Sequence, residues 1–175
     1  MRFVIAAFAA FVLAACASQP VNRRAEPPLT TVEAVDVERY LGRWYEIARL
    51  PTSFQKECEA VTATYSKRDD GLIKVVNTCG AIAGSRAREA VGKAKIVDAA
   101  TNAKLKVSFF GPFWGDYWII DLKEDYSRAI VGEPSGRYLW VLARDPKLGE
   151  EERAALTAEL EAFGYNTAAL HFTQH

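Results

Sequence analysis

The chain has 175 residues, room for one domain of ordinary size, and half of it is hydrophobic, enough to build a core. Charge is balanced at 22 basic against 22 acidic residues, which argues against a nucleic-acid binder with its basic stripe and against a charged, disordered tail. Both histidines, His171 and His175, stand at the very end and the three cysteines fit no zinc spacing, so no histidine-based catalytic centre, metal site or cofactor is expected.

Arg2 is followed by an uncharged, mostly apolar run over residues 3–15. A bilayer-spanning helix needs about 20 apolar residues, so this run is too short to span and reads as a secretory signal. Leu13-Ala14-Ala15-Cys16 resembles the lipobox of bacterial lipoproteins. The resemblance implies a signal peptide over residues 1–15, cleavage before Cys16 and lipidation of that cysteine. Ala17 in place of an aspartate implies the outer membrane, on its periplasmic side. The plainer alternative is a signal peptide with an incidental cysteine. Several acyl chains, at about 0.8 kcal/mol per buried CH₂, make a firm anchor. Residues 16–31 carry Pro20, Pro27 and Pro28 among polar residues without apolar periodicity, and read as a flexible tether to a domain at 32–175.

Short alternating runs then dominate. Residues 44–50, 61–65, 73–77, 90–96, 105–109, 116–122, 128–131 and 138–143 predict eight half-buried strands. Their connections are mostly short, as at Asp70-Gly71, Thr101-Asn102 and Pro134-Ser135-Gly136, which implies antiparallel neighbours. A single helix follows. Gly149 opens it, Glu150, Glu151 and Glu152 sit at its positive end, Leu156, Leu160 and Phe163 share one face, and Gly164 stops it. An apolar stretch at 168–172 reads as a last short strand. Eight antiparallel strands and one late helix predict an all-β, up-and-down barrel with the helix on its wall. A two-sheet sandwich is the competing architecture.

Export makes a Cys58–Cys79 disulfide plausible. A four-residue loop at 67–70 would set the two cysteines opposite one another. The alternation favours a register shifted from that one, so a bulge would be needed; two separate buried thiols are the alternative.

Three motifs in order resemble those of the lipocalin family: Gly42-Arg43-Trp44-Tyr45-Glu46, Gly115-Asp116-Tyr117-Trp118, and Tyr138-Leu139-Trp140-Val141-Leu142-Ala143-Arg144. The match runs from about Asp36 to the end, and the helix falls where the family places it. The nearest branch resembles bacterial outer-membrane lipocalins, with apolipoprotein D more distant. The resemblance implies that Gly42, Trp44 and Arg144 close one end of the barrel, the guanidinium lying across the indole. Such a pair contributes about 1–2 kcal/mol when water is excluded.

Strand alternation then assigns the lumen. Val61, Ala63 and Tyr65, Val75 and Asn77, Ala90, Gly92, Ala94 and Ile96, Leu105, Val107 and Phe109, and Trp118, Ile120 and Leu122 are expected to point in. Tyr65, Asn77, Phe109, Trp118 and Ile120 are the expected ligand contacts, and Ala63, Gly92 and Ala94 are expected to vacate volume for a guest. Glu46, two residues from Trp44, faces inward on the same alternation, either for a cationic head group or to bond neighbouring strands. The resemblance implies that the 51–57 loop sits at the open mouth, and Phe113 and Trp114 lie in another turn expected there, where the aromatics either touch lipid or pack under a loop. The expected function is binding, storage or transport of a fatty acid, lysophospholipid or similar amphiphile by a membrane-anchored barrel. A filled, purely structural lipoprotein and a lipocalin-type enzyme are the alternatives. The expected partners are the lipid ligand and the membrane; oligomeric state is open, a homodimer included.

Overall fold

The computed structural model describes residues 20–80 and 87–175. Eight antiparallel strands close into a barrel: β1 (Gly42–Arg49), β2 (Glu59–Lys67), β3 (Ile73–Gly80), β4 (Arg88–Ile96), β5 (Lys104–Ser108), β6 (Gly115–Leu122), β7 (Arg128–Gly132) and β8 (Leu139–Ala143). Each strand pairs with the next, and β1 pairs with both β2 and β8, so the ring has no seam. The sandwich alternative is thereby excluded.

The sequence expectations for the elements hold within a few residues. One helix was not anticipated: α1 (Val37–Tyr40), a single turn whose amides at Glu38 and Arg39 are capped by the Asp36 carboxylate. The late helix, α2 (Glu150–Ala162), begins with Gly149 donating its N–H to Glu152, and Gly164 follows its end at φ +88°, a left-handed turn that glycine adopts without strain. Leu156 and Leu160 are fully buried against Ile47, Leu50, Ile120, Ile130, Leu139 and Val141 on the outer wall. Each contributes roughly 1.5–3 kcal/mol by leaving water.

A second core lies inside the ring, with Trp44, Ala63, Tyr65, Val75, Ala94, Leu105, Tyr117, Ile119, Val131 and Leu142 among its members. The wall is thus apolar on both faces where α2 covers it, and only inward-apolar elsewhere.

β1 splays between its neighbours. Its first half pairs with β2 through Tyr45↔Thr62. Beyond the irregularity between Glu46 and Ala48 its second half meets instead a ninth strand, β9 (His171–Phe172), through Ala48↔Phe172 and Arg49↔His171. The C-terminal residues thus bridge β1 and β2: Thr173 donates to Ile47 O at 3.0 Å and Ala60 donates to Gln174 O at 2.7 Å.

The disulfide forms, with Cα atoms 5.2 Å apart. Both readings of the register are reconciled by one bulge. From Thr62↔Thr78 to Lys67↔Ile73 the strands keep the pairing that alternation favours, and the shift between Glu59 and Thr62 brings Cys58 to Cys79. Ala60, at φ +47°, sits in that bulge.

The expected tether differs most from the structure. Asn22 N–H donates to Gly136 O at 2.9 Å, Arg24 N–H to Gly164 O at 3.0 Å, Val32 N–H to Ile119 O at 3.1 Å and Val35 N–H to Thr101 O at 2.7 Å. Leu29 packs with the outer core. From Asn22 onward the segment is therefore bonded along the barrel wall, its polar composition satisfied by backbone pairing that no side-chain periodicity announces.

Candidate ligand-binding lumen

One end of the barrel is built shut. Trp44 is fully buried and donates its indole N–H to Tyr40 O at 2.8 Å. The Arg144 guanidinium lies 3.8 Å from the centre of the Trp44 ring. It also donates to Arg43 O at 2.6 Å, Arg39 O at 2.8 Å and Leu41 O at 2.9 Å. One cation thus collects carbonyls that the end of α1 leaves unpaired, where a positive charge suits the helix dipole. Burial lowers the Arg144 pKa from its ordinary value, opposed by Tyr40 and Tyr65 nearby. Gly42 stands here at φ +95°, and a Cβ on it would come 3.4 Å from the guanidinium.

Above this stopper the floor carries three buried tyrosines. The Tyr117 hydroxyl lies 2.8 Å from that of Tyr40 and 2.9 Å from that of Tyr65. Burial pushes Tyr65 up to about 12 and raises Tyr40 and Tyr117 well above the usual phenol value. The space left at the floor, among Val35, Leu41, Ile73, Ile96 and these tyrosines, is about 20 Å³. That holds one water-sized body, so the bulk of any guest sits higher.

The upper lumen is different. Asn77, Phe109 and Trp140 line the inner wall yet are only half-buried, Val107 reaches from the floor space toward them, and Ala90, opposite Asn77, is exposed. An inward side chain that keeps contact with solvent marks an open mouth. The Asn77 Oδ1 atom is buried with no protein partner, an acceptor that a donor on a guest would satisfy.

Two inward assignments are corrected. Leu105 points in and pairs with Tyr117, so Tyr117 and Ile119 face the lumen while Trp118 and Ile120 face out. Lys104 lies 4.7 Å over the Trp118 ring on the outer wall, and Ile120 is buried in the core beneath α2. This strand is apolar on both faces because α2 covers it, so alternation carried no sign. The irregularity between Ile119 and Asp121 returns Leu122 to the inner core as expected.

Gly92 also departs from expectation. A Cβ there would meet the Phe109 ring at 2.7 Å and Ser108 O at 2.7 Å. The volume it vacates is taken by Phe109 across the strand pair, not left for a guest.

Glu46 does face inward and bonds its neighbours. It accepts from Arg49 at 2.7 Å, Gln55 Nε2 at 2.5 Å and Thr173 Oγ1 at 2.7 Å. Arg49 also donates to Gln55 O at 3.2 Å and Cys58 O at 3.1 Å, and Gln55 accepts from the Trp140 indole at 3.0 Å. This buried network ties the 51–57 loop, the disulfide and the C-terminus together at the mouth. Arg49 and Gln55 were not singled out in the sequence; the bulge after Glu46 that swings Arg49 to the same face has no signature in alternation. At the mouth Phe113 is exposed, as is Phe110, whereas Trp114 is half-buried beneath Lys93 and Lys95 at 5.6 and 4.4 Å.

A stoppered, open-mouthed barrel with these motifs matches the family model of the lipocalin-like domain over residues 35–175. The chain is a lipocalin. It is 42% identical to outer membrane lipoprotein Blc of Escherichia coli over 99% of this chain and 96% of that one. It is 37% identical to temperature-induced lipocalin-1 of Arabidopsis thaliana over 83% of this chain and 82% of that one. It is also 37% identical to apolipoprotein D of Rattus norvegicus over 81% of this chain and 72% of that one. Among solved structures, insecticyanin of the tobacco hornworm superposes with a TM-score of 0.68 at 19% identity over 85% of both chains, which supports the fold. Near-full-length similarity to proteins named outer membrane lipoprotein Blc, from Escherichia coli and at 37% identity from Vibrio cholerae, sets this lipocalin in the bacterial outer-membrane branch.

Proposed function

We propose that this lipocalin holds a single-chain amphiphile, a fatty acid or lysophospholipid, in its upper lumen, and carries it at the outer membrane while anchored through lipid on Cys16. The observation that carries the reading is the contrast between the two halves of the lumen. The floor is stoppered and nearly filled, while the inner wall above it is apolar and still reached by solvent. Burial of an alkyl chain against Val107, Phe109 and the neighbouring wall drives binding at about 25 cal/mol per Å², less the cost of ordering the guest. Asn77 supplies an acceptor, Oδ1, which the free hydroxyl of a lysophospholipid can satisfy. Tyr65 closes the bottom of the compartment with a hydroxyl already bonded to Tyr117. Trp44 and Arg144 hold the barrel shut and do not touch the guest.

The function is binding and carriage, without a chemical step. The most suggestive acid–base pair in the lumen, Glu46 with Arg49, is committed to Gln55, Thr173 and backbone carbonyls. Native mass spectrometry of the protein taken from its own envelope tests the reading. The expected spectrum shows the processed, acylated chain with one further mass of fatty acid or lysophospholipid. A chain of bare polypeptide mass that takes up neither on incubation would overturn it.

A further inference from the structure

We propose that the lipid anchor holds this barrel mouth-down, with the aromatic rim of the open end seated in the membrane surface. The proposal rests on the anchor at Cys16 proposed above.

The first observation is where the N-terminal segment joins the barrel. Asn22 is bonded to Gly136, in the turn between β7 and β8, and a Cβ on Gly136 would come 2.5 Å from Arg23 Cβ. That turn is at the mouth, because β7 runs from Arg128, paired with Ala143 beside the stopper, to Gly132, paired with Leu139. From there the segment descends the wall to Val35, which bonds Thr101 at the closed end. Cys16 therefore stands six residues before a fixed point on the rim. At no more than about 3.6 Å per residue the anchor reaches roughly 20 Å from the mouth. To turn the closed end to the membrane, this linker would have to be drawn out along the height of the barrel, whereas the mouth-down pose leaves it slack.

The second observation is what the rim exposes. Phe110 is 80% exposed, Phe113 76% and Phe54 64%, and Val21, beside the fixed Asn22, is 54% exposed. Every strongly exposed aromatic among the described residues is at this end, on the 51–57 loop or the turn between β5 and β6. Lys56 and Glu57 share the loop with Phe54, Arg88 donates to Lys56 O at 3.2 Å with Glu89 beside it in sequence, and Lys93 and Lys95 lie over the Trp114 ring. Charge of both signs thus accompanies the aromatics, and apolar insertion is the contribution that salt would not screen. Seated this way, the lumen opens onto lipid, and a guest passes between bilayer and barrel without crossing water.

The test uses the acylated protein in phosphatidylethanolamine–phosphatidylglycerol vesicles, its lumen preloaded with unlabelled fatty acid. The photocrosslinker p-benzoylphenylalanine replaces either Phe113 at the rim or Val97 beyond β4 at the closed end, both exposed in the fold. The expected result is at least about tenfold more phospholipid adduct from position 113, persisting in high salt as apolar insertion does. Equal adducts from both positions on an acylated chain would overturn the orientation and leave ligand binding standing. Crosslinks from 113 to a second copy of the chain in place of lipid would assign the rim to self-association. A chain whose mass shows no acyl groups on Cys16 would refute the anchor, and this proposal with it.

Discussion

Replacing Arg144 with alanine removes the lid from the closed end. Three short hydrogen bonds to Arg39 O, Leu41 O and Arg43 O are lost, together with the contact 3.8 Å from the Trp44 ring. Bonds from a charged donor are worth about 1.5–3 kcal/mol when dry, but this guanidinium is partly exposed, so roughly 0.5–1 kcal/mol apiece is the fair figure. The cation–π contact adds about 1–2 kcal/mol. The sum is about 2.5–5 kcal/mol. At about 2–4 °C per kcal/mol for a chain of this size, Tm should fall by roughly 5–20 °C. Thermal unfolding followed by near-ultraviolet circular dichroism measures it. Arg144→Lys keeps the charge and loses the forked donor, so it should fall between the two. A Tm loss under about 2 °C for Arg144→Ala would refute the view that this residue closes the barrel.

Converting both Cys58 and Cys79 to serine should cost about 3 kcal/mol, the chain-entropy value for a separation of 21 residues, read from urea unfolding against the oxidised protein. Gly92→Ala should destabilise by about 1–3 kcal/mol in the same assay, because the new methyl strikes Ser108 O as well as the Phe109 ring. Leu160→Ala should cost about 2–4 kcal/mol through the cavity left beneath α2, with ligand affinity unchanged since the residue lies outside the ring. Alkaline titration carries its own sign. Tyr65 ionises near 10 in the unfolded chain and about 12 in the fold, so its contribution is whole below pH 10 and drains away as pH rises toward 12. Absorbance at tyrosinate wavelengths should show Tyr40, Tyr65 and Tyr117 resisting ionisation until the barrel opens.

The strands, the helix and the closed end were legible because each has a local signature. Period-two runs mark β2, β3 and β5, the Leu156–Leu160 spacing marks α2, and the three motifs fix where Trp44 and Arg144 stand. The lumen was legible only where one wall face is wet. Tyr65, between Thr64 and Ser66, and Phe109, between Ser108 and the exposed Phe110, could be read as inward because their outer-face neighbours are polar or exposed. Trp118 and Ile120 were misassigned because α2 makes that outer face apolar too, and the pattern then fits both registers. Gly92 looked like vacated space because sequence does not say which side chain crosses the strand pair to fill it. Segments whose order comes from backbone pairing, such as Asn22 to Val35, and networks made across a bulge, such as Glu46 with Arg49, leave no periodic trace at all.

The central claim is an upper lumen that a greasy chain can occupy, and Ala90 is the place to test it. Ala90 faces inward opposite Asn77 and is exposed, so a tryptophan there fills the compartment without displacing the core. Delipidated protein and its Ala90→Trp variant, each titrated with a fluorescent fatty acid, give the direct measurement. The account predicts saturable binding of one probe per wild-type chain, and at least about tenfold weaker binding by a variant of unchanged Tm. Unsaturable binding by the wild type, or equal affinity in the two proteins, would contradict it.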